Sequence, residues 1–124
     1  MAKRTYPSSL PYPFSAAVRT GNLLFVSGQV GTRDGKIGQG IEEQTRFTME
    51  NIRDTLQQAG ASLENVVKAT VFITDMSLWA GMNDTYKQYF AKDPPARSSF
   101  GVNALALPEL LLEIECIAEV EGIS

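Results

Sequence analysis

The sequence predicts an α+β domain in which two helices pack on one face of a mixed β-sheet. Three observations carry this prediction. Apolar residues recur at helical spacing in two separate stretches, residues 41–59 and 78–90. Short β-branched or alternating stretches, which are typical of strands, lie before, between and after them. The last of these, residues 110–120, alternates so that one face is wholly apolar, as a sheet covered by helices on one side requires.

Length and composition predict one globular domain, residues 1–124. Hydrophobic residues make up 44% and charged residues 20%, which is enough to build a buried core. No apolar run approaches the roughly 20 residues that span a bilayer, so we expect no membrane association. No apolar stretch follows the basic pair near the start, and a single cysteine allows no internal disulfide. We therefore expect a cytoplasmic location.

The net charge and the absence of histidine limit the kinds of binding and catalysis that the chain can perform. A net charge of −3 argues against broad nucleic-acid binding, although it leaves room for a local basic patch. With no histidine in the chain, Ser–His and Cys–His nucleophile pairs and histidine zinc ligands are absent. Any acid–base step must use carboxylates, tyrosine, lysine or water.

The first third of the chain predicts strands and turns. Residues 1–21 contain three prolines that exclude a regular helix, and they suggest a short edge strand followed by a strand at 14–19. The apolar run 23–26 predicts a central strand that ends at residues 27–29. A glycine at a strand end is typical of close backbone approach, and a simple turn is the alternative. Residues 31–40 predict a glycine-rich loop that lacks the Lys-Ser/Thr ending of a phosphate loop.

The middle of the chain predicts helix, strand and helix. The first helix runs from Ile41 to Ala59, with acidic residues in its first turn and Gly60 as its C-terminal cap. The second runs over residues 78–90, with Asp75 or Ser77 as N-cap, and its aromatic residues indicate core and interface. The strand between them has one wholly apolar face (Val67, Ala69, Val71, Ile73) and one mixed face (Val66, Lys68, Thr70, Phe72).

The last strand, residues 110–120, has two different faces. Its even-numbered residues are all apolar, and Cys116 among them is expected to be a buried, inert thiol. Its other face mixes Leu111 and Ile117 with three glutamates. This face is either solvated or covered by another subunit. We favour the subunit, because a half-apolar sheet face of this size is rarely left bare.

The segment Pro94–Phe100 is the strongest candidate for function. Its two prolines are predicted to end the second helix and to deliver Arg97 at a stiff strand entrance. A guanidinium offers a planar fork of donors that matches a carboxylate at two points, and two serine hydroxyls follow at once. The alternative, a surface arginine beside a strand, is the more frequent situation when the segment is taken alone.

Together with the rest of the chain, these residues resemble the Rid family of reactive intermediate deaminases, also called YjgF-like proteins or L-PSP endoribonucleases. The resemblance runs nearly end to end. Its carriers are Val26-Ser27-Gly28-Gln29-Val30, residues 60–76, Met82-Asn83-Asp84-Thr85-Tyr86, Pro95-Ala96-Arg97-Ser98 and Glu113-Ile114-Glu115.

The resemblance implies a chorismate mutase-like subunit that forms homotrimers, in which the sheets close a central barrel and three ligand clefts lie between subunits. It implies hydrolysis of enamines and imines such as 2-aminoacrylate to 2-oxo acids and ammonia, with no cofactor and no metal. Arg97 would hold the substrate carboxylate and Glu113 would position or activate water. The other implied substrate-binding positions are Phe14, Ser27, Gly28, Asn83 and Ser99. For Asn83, a structural role is the first interpretation.

Two positions depart from the family pattern. Phe14 stands where the deaminase branch has tyrosine, and Ser99 stands where that branch often has cysteine. Neither change removes Arg97, which would hold the substrate carboxylate, but both leave the substrate preference and the rate of the reaction open. The alternatives are therefore a non-catalytic trimer that binds small carboxylates or acts as a chaperone, and RNA cleavage, against which the acidic charge and absent histidine weigh.

Overall fold

The computed structural model describes residues 2–120, so the predicted domain 1–124 extends beyond them at both ends. In chain order the elements are β1 (Arg4–Pro7), β2 (Ser15–Thr20), β3 (Leu23–Val30), β4 (Thr32–Arg33), β5 (Lys36–Ile37), α1 (Gly40–Gln58), β6 (Val66–Ile73), α2 (Trp79–Tyr86), β7 (Ala96–Gly101) and β8 (Leu112–Glu119). Six of the strands form one sheet in the order β1-β2-β3-β8-β6-β7, and β4 and β5 form a small hairpin.

The sheet is mixed, as predicted. All its strand pairs are antiparallel except β6 and β7, which run parallel and are joined by the crossover through α2. The helix α1 packs against β3 and β8, and α2 packs against α1, so both helices cover the same face. We call this the covered face and the other the open face. The α+β prediction is therefore confirmed.

The helix α1 forms where its apolar spacing predicted it. Its buried stripe includes Met49, Ile52 and Leu56, which are at most 1% exposed. At its start, Glu43 accepts a hydrogen bond of 2.7 Å from the backbone N–H of Gln39. At its end, Gly60 adopts a φ of +78°, the left-handed conformation that closes helices at low cost in glycine.

The helix α2 is shorter than predicted. A 3₁₀ turn at Met76–Leu78, capped by the Asp75 side chain, precedes it, and it ends at Tyr86 instead of residue 90. The following backbone N–H groups bond to carbonyls three residues back, which tightens the chain, and the Phe90 ring packs on Tyr86 at 5.0 Å between centroids. The helix therefore ends eight residues before Pro94, and the prediction that the prolines end it was wrong.

Two strand predictions also need correction. The predicted loop 31–40 contains the hairpin β4–β5, whose turn residues Asp34 and Gly35 both have positive φ. In β6, Val66 is 6% and Val67 is 48% exposed, which reverses the predicted faces of these two residues. The reason is an irregularity in the β6–β8 register between Val66 and Lys68.

The core lies between the covered face and the helices. The buried residues of β8 are Leu112, Ile114, Cys116 and Ala118, and the alternation of this strand is confirmed. Burial, with Glu115 adding to it, raises the pKa of the Cys116 thiol to about 12, so this cysteine is protonated at neutral pH. None of the described helices is long and apolar enough to cross a bilayer.

Candidate functional site

A β-bulge in β3 shapes the first part of the site. The strand was predicted to end at residues 27–29 but continues to Val30, because Ser27 and Gly28 together face the single residue Glu115 on β8. The Ser27 hydroxyl donates a 2.6 Å hydrogen bond to the carbonyl of Ser15 on β2, which fixes the bulge to the neighbouring strand. The Ser27 side chain thus holds the backbone in place.

Glu113 lies directly against the bulge. A Cβ atom on Gly28 would lie 2.8 Å from Glu113 Cδ and 2.9 Å from its Cγ, and would collide with Oε2. Only glycine therefore leaves room for this carboxylate. Burial, with the nearby charge of Glu115, raises the pKa of Glu113 above its ordinary value. A half-buried carboxylate with a raised pKa is a candidate for proton transfer.

Phe14 lies beside the same bulge. Its ring is stacked on Tyr12 with 6.3 Å between centroids, and it lines a cavity of about 510 Å³ together with Gly28. The cavity opens between the lead-in to β2, the end of β3 and the outer side of α1. Gly28 thus contacts Glu113 on one side and shares a cavity with Phe14, while Ser27 holds the bulge; we call Phe14, Ser27, Gly28 and Glu113 the bulge group.

Arg97 lies in a second part of the site, on the covered face. Its guanidinium carbon Cζ is 4.7 Å from the centroid of the Tyr86 ring and 5.7 Å from that of Trp79, both on α2. Asn83 lies between these two residues on the same stripe of the helix, at i+4 from Trp79. Burial raises the pKa of the Tyr86 hydroxyl, and the charge of Arg97 opposes that effect in part.

The two serines after Arg97 face opposite ways. Ser99 shares the covered face with Arg97, since alternate residues of β7 point to the same side. The Ser98 hydroxyl accepts a 3.1 Å hydrogen bond from Lys68 Nζ on the open face. We call Asn83, Arg97 and Ser99 the arginine group.

Within one chain the two groups do not converge. Glu113 alternates with Leu112 and Ile114, which are buried in the core, so its side chain lies on the open face, whereas Arg97 contacts α2. Two strand spacings also separate β8 from β7, which is about 10 Å. A small 2-imino acid cannot bridge a sheet to touch both side chains of the same subunit.

Sequence reasoning missed two features of this site. The β3 bulge has no clear signature, because Ser27-Gly28-Gln29 is equally compatible with a turn. The aromatic partners of Arg97 do have one. Trp79, Asn83 and Tyr86 occur at i, i+4 and i+7, which places them on one helix face. That spacing could have linked the aromatic stripe to the arginine strand that follows it.

Comparison with known proteins identifies the family. Residues 7–120 match the family described as Endoribonuclease L-PSP. The chain belongs to this family, and the resemblance found in the sequence is confirmed.

Three relatives illustrate it. The chain is 38% identical over 109 residues to Reactive Intermediate Deaminase A, chloroplastic, of Arabidopsis thaliana, covering 86% of this chain and 58% of that one. The solved structure of the Rid family protein YyfA from Yersinia pestis superposes with a TM-score of 0.87 at 38% identity, covering 96% and 100% of the two chains. E. coli TdcF with bound serine gives a TM-score of 0.84 at 34% identity, covering 93% of each.

Proposed function

We propose that this protein is an enamine/imine deaminase that hydrolyses small 2-imino acids, such as the imine of 2-aminoacrylate, to 2-oxo acids and ammonia. The reaction needs no cofactor, since the imine carbon is already electrophilic. The protein has to orient the substrate, place a water molecule and move protons. The name of the Arabidopsis relative supports this class of reaction.

The observation that carries the proposal is the contact of Glu113 with the Gly28 backbone. The carboxylate is half-buried, its pKa is raised, and its nearest backbone is a strand bulge with no side chain in the way. Bulges often re-aim groups beside active sites. A base held in this way can take a proton from water that attacks a carbon bound next to Gly28.

Arg97 is proposed to bind the substrate carboxylate. A guanidinium fork matches a carboxylate at two points, and such charge-assisted contacts are among the strongest hydrogen bonds in proteins. The solved structure of E. coli TdcF contains bound serine, a small amino acid that carries the same carboxylate. Asn83 on α2 and Ser99 on the covered face of β7 would border the bound acid.

The proposed chemistry balances without an outside reagent. The enamine tautomer first takes a proton at carbon 3 and releases one from its nitrogen, which gives the imine. Water then adds to the imine carbon while one of its protons passes to Glu113, and Glu113 returns that proton to the nitrogen, which gives a carbinolamine. The hydroxyl proton of the carbinolamine then moves to the nitrogen, the C–N bond breaks as ammonia leaves, and the oxygen that came from water remains as the 2-oxo group.

A second copy of the chain is proposed to complete each site. Because Arg97 and Glu113 lie on opposite faces of one sheet, the arginine group of one subunit would meet the bulge group of its neighbour. The open face is suited to such an interface, since Phe25, opposite Ile117, is 42% exposed and Phe100, opposite Phe72, is 52% exposed. A homotrimer, as the family resemblance implies, would bury these residues.

Phe14 favours a second candidate function, the binding of small carboxylates without turnover. Its ring walls the cavity beside Gly28 but has no hydroxyl to donate or transfer a proton. In that case Glu113 would lack a proton-relay partner, and the protein would hold an acid without hydrolysing it. RNA cleavage is not favoured, since the net charge is −3. We propose the cytoplasm as location, in keeping with a single buried cysteine.

The test is ammonia release from an imine generated in situ by an amino-acid oxidase. We expect acceleration over the spontaneous rate by the wild type and its loss in Arg97→Ala. No acceleration at high protein concentration would refute the deaminase. Stabilisation against heat by the 2-oxo acid, without turnover, would then support the binding function.

A further inference from the structure

Among residues 2–120, Arg97 contacts two aromatic rings and forms no ion pair with a carboxylate. Trp79 and Tyr86 approach its guanidinium from α2, at 5.7 and 4.7 Å. We propose that these two residues are positioning residues that hold the Arg97 guanidinium ready for an incoming carboxylate. The identity of that ligand rests on the proposed function, whereas the stacking itself does not.

Several other arginines have different partners. Arg4 lies over the single ring of Tyr6, at 5.0 Å, whereas Arg97 lies over two rings. Arg53 also lies over a ring, that of Tyr89 at 5.2 Å, but its guanidinium is bonded to Glu50 at 3.0 Å. Arg33 and Arg46 are paired with Asp54 and Glu42. Throughout residues 2–120, no carboxylate forms an ion pair with Arg97.

An arginine held by rings keeps its donors available. The negative face of an aromatic ring attracts a cation without occupying its N–H groups in the guanidinium plane. An internal carboxylate would instead use those donors and compete with an anionic ligand. The aromatic contacts therefore restrain the side chain and leave its charge and its hydrogen-bonding edge for a second anion.

The two rings differ in how firmly they are held. Tyr86 is buried, and Phe90 packs on it with 5.0 Å between ring centroids. Trp79 is 38% exposed and lies two helical turns earlier, with Asn83 between the two rings. The charge of Arg97 also acts on the buried Tyr86 hydroxyl, whose pKa it lowers against the effect of burial. Removing that hydroxyl in Tyr86→Phe therefore tests whether the ring alone holds Arg97.

The first measurement tests the stacking without a ligand. In the assembled wild-type protein, the Arg97 side-chain protons should resonate upfield of their random-coil positions, because they lie over two ring faces. The signals are assigned by their loss in Arg97→Gln. The shift should shrink in Trp79→Leu, a half-exposed site that tolerates substitution, and persist in Tyr86→Phe. Random-coil positions in the wild type would overturn the inference.

The second measurement is calorimetric titration with pyruvate, a 2-oxo acid of the proposed product class. We expect the dissociation constant to rise about three- to tenfold in Trp79→Leu, the range that one cation–π contact supplies, and Trp79→Phe to restore most of the affinity. Tyr89→Leu is the matched control, since it removes the ring from Arg53, and it should leave the constant within about twofold.

The outcomes separate this inference from the proposed function. If Trp79→Leu binds pyruvate as tightly as the wild type, the positioning role is wrong even where the deaminase is right. If the wild type shows ring-shifted Arg97 signals but binds neither pyruvate nor an imine, the proposed function falls and only the stacking survives. Weaker binding in Trp79→Leu with rescue by phenylalanine supports the positioning role and carboxylate binding by Arg97, and turnover is then decided by the ammonia-release assay.

Discussion

The two faces of β8 differ more than any other pair of surfaces in this molecule. On the covered face, Leu112 and Ile114 are fully buried against α1 and the neighbouring strands. On the open face, Glu113 and Ile117 are half-buried and Glu115 is exposed, in a strand where side chains alternate strictly. The same strand therefore has one face that is fully packed within the chain and one face that is only partly buried.

This difference indicates that the covered face stabilises the fold and that the open face serves another role. The covered face is satisfied within one chain, so its residues can be understood from apolar burial alone. The open face holds a carboxylate with a raised pKa and exposed aromatic rings. Neither feature stabilises a single subunit. We infer that the open face is shaped by what covers it, and neighbouring residues of β8 offer matched ways to test this.

The largest effect is expected for Glu113→Gln on the open face. Loss of the proposed base should lower kcat/KM for imine hydrolysis by about 10² to 10⁴. The fold should not suffer. Because burial raises the pKa of Glu113 above its ordinary 4.5, the folded state favours the neutral form, and the stability this gives is lost as pH rises through the raised pKa.

The pH dependence of thermal unfolding checks that sign. Glu113→Gln should melt above the wild type at pH 7, and the difference should vanish below about pH 4, where both states bind the proton. A variant that melts below the wild type at pH 7 would mean that the ionised carboxylate stabilises the fold, contrary to its burial.

Ile114→Ala should produce the opposite pattern on the covered face. Removing a fully buried isoleucine side chain costs about 2–5 kcal/mol of unfolding free energy. Ile117→Ala is the matched control on the open face of the same strand, and urea unfolding of the isolated subunit should show a much smaller loss. Equal losses for the two variants would show that the faces do not differ as described.

Gly28→Ala tests the contact between the bulge and Glu113. The new methyl group would collide with the carboxylate, and overpacking of this kind costs about 1–3 kcal/mol. We expect kcat to fall and KM to change less, because Glu113 is displaced while Arg97 is not. Gly21→Ala, in a turn with open space around a glycine of positive φ, is the contrasting variant: it strains the backbone without touching Glu113, so it should lower stability but leave kcat unchanged. Unchanged turnover in Gly28→Ala would remove Glu113 from the mechanism.

The smallest effect is expected for Phe14→Tyr. The ring is half-exposed at the cavity mouth, so the hydroxyl should change stability by less than about 0.5 kcal/mol. If proton transfer beside Gly28 limits the rate, kcat for imine hydrolysis should rise by up to about tenfold. A fall in rate would indicate that the apolar ring is itself needed for substrate binding.

Much of the fold could be predicted, because the spacing of apolar residues in helices and their alternation in strands follow directly from which side chains are buried. The stripe of α1 and the two faces of β8 both follow from single side chains facing one core. The bulge in β3, the reversed Val66 and Val67, and the early end of α2 could not. Each depends on register or on a tertiary contact, such as Phe90 on Tyr86, that no local pattern encodes.

The sequence predicts candidate site residues but not how they are arranged. Arg97 and Glu113 were singled out as partners, yet their opposite faces become visible only when the register Ala69↔Arg97 and Phe72↔Glu113 is known. Trp79 was assigned to core and interface, since nothing local linked it to a strand 17 residues later.

Mixing two inactive variants tests the central claim most directly. Arg97→Ala and Glu113→Gln proteins are unfolded together, refolded, and assayed for imine hydrolysis beside each variant refolded alone. If every site joins an arginine group from one subunit to a bulge group from the next, random assembly makes about one site in four intact, and about a quarter of the wild-type activity should return. A mixture that stays inactive while the wild type refolds to full activity would show that the site does not lie between subunits.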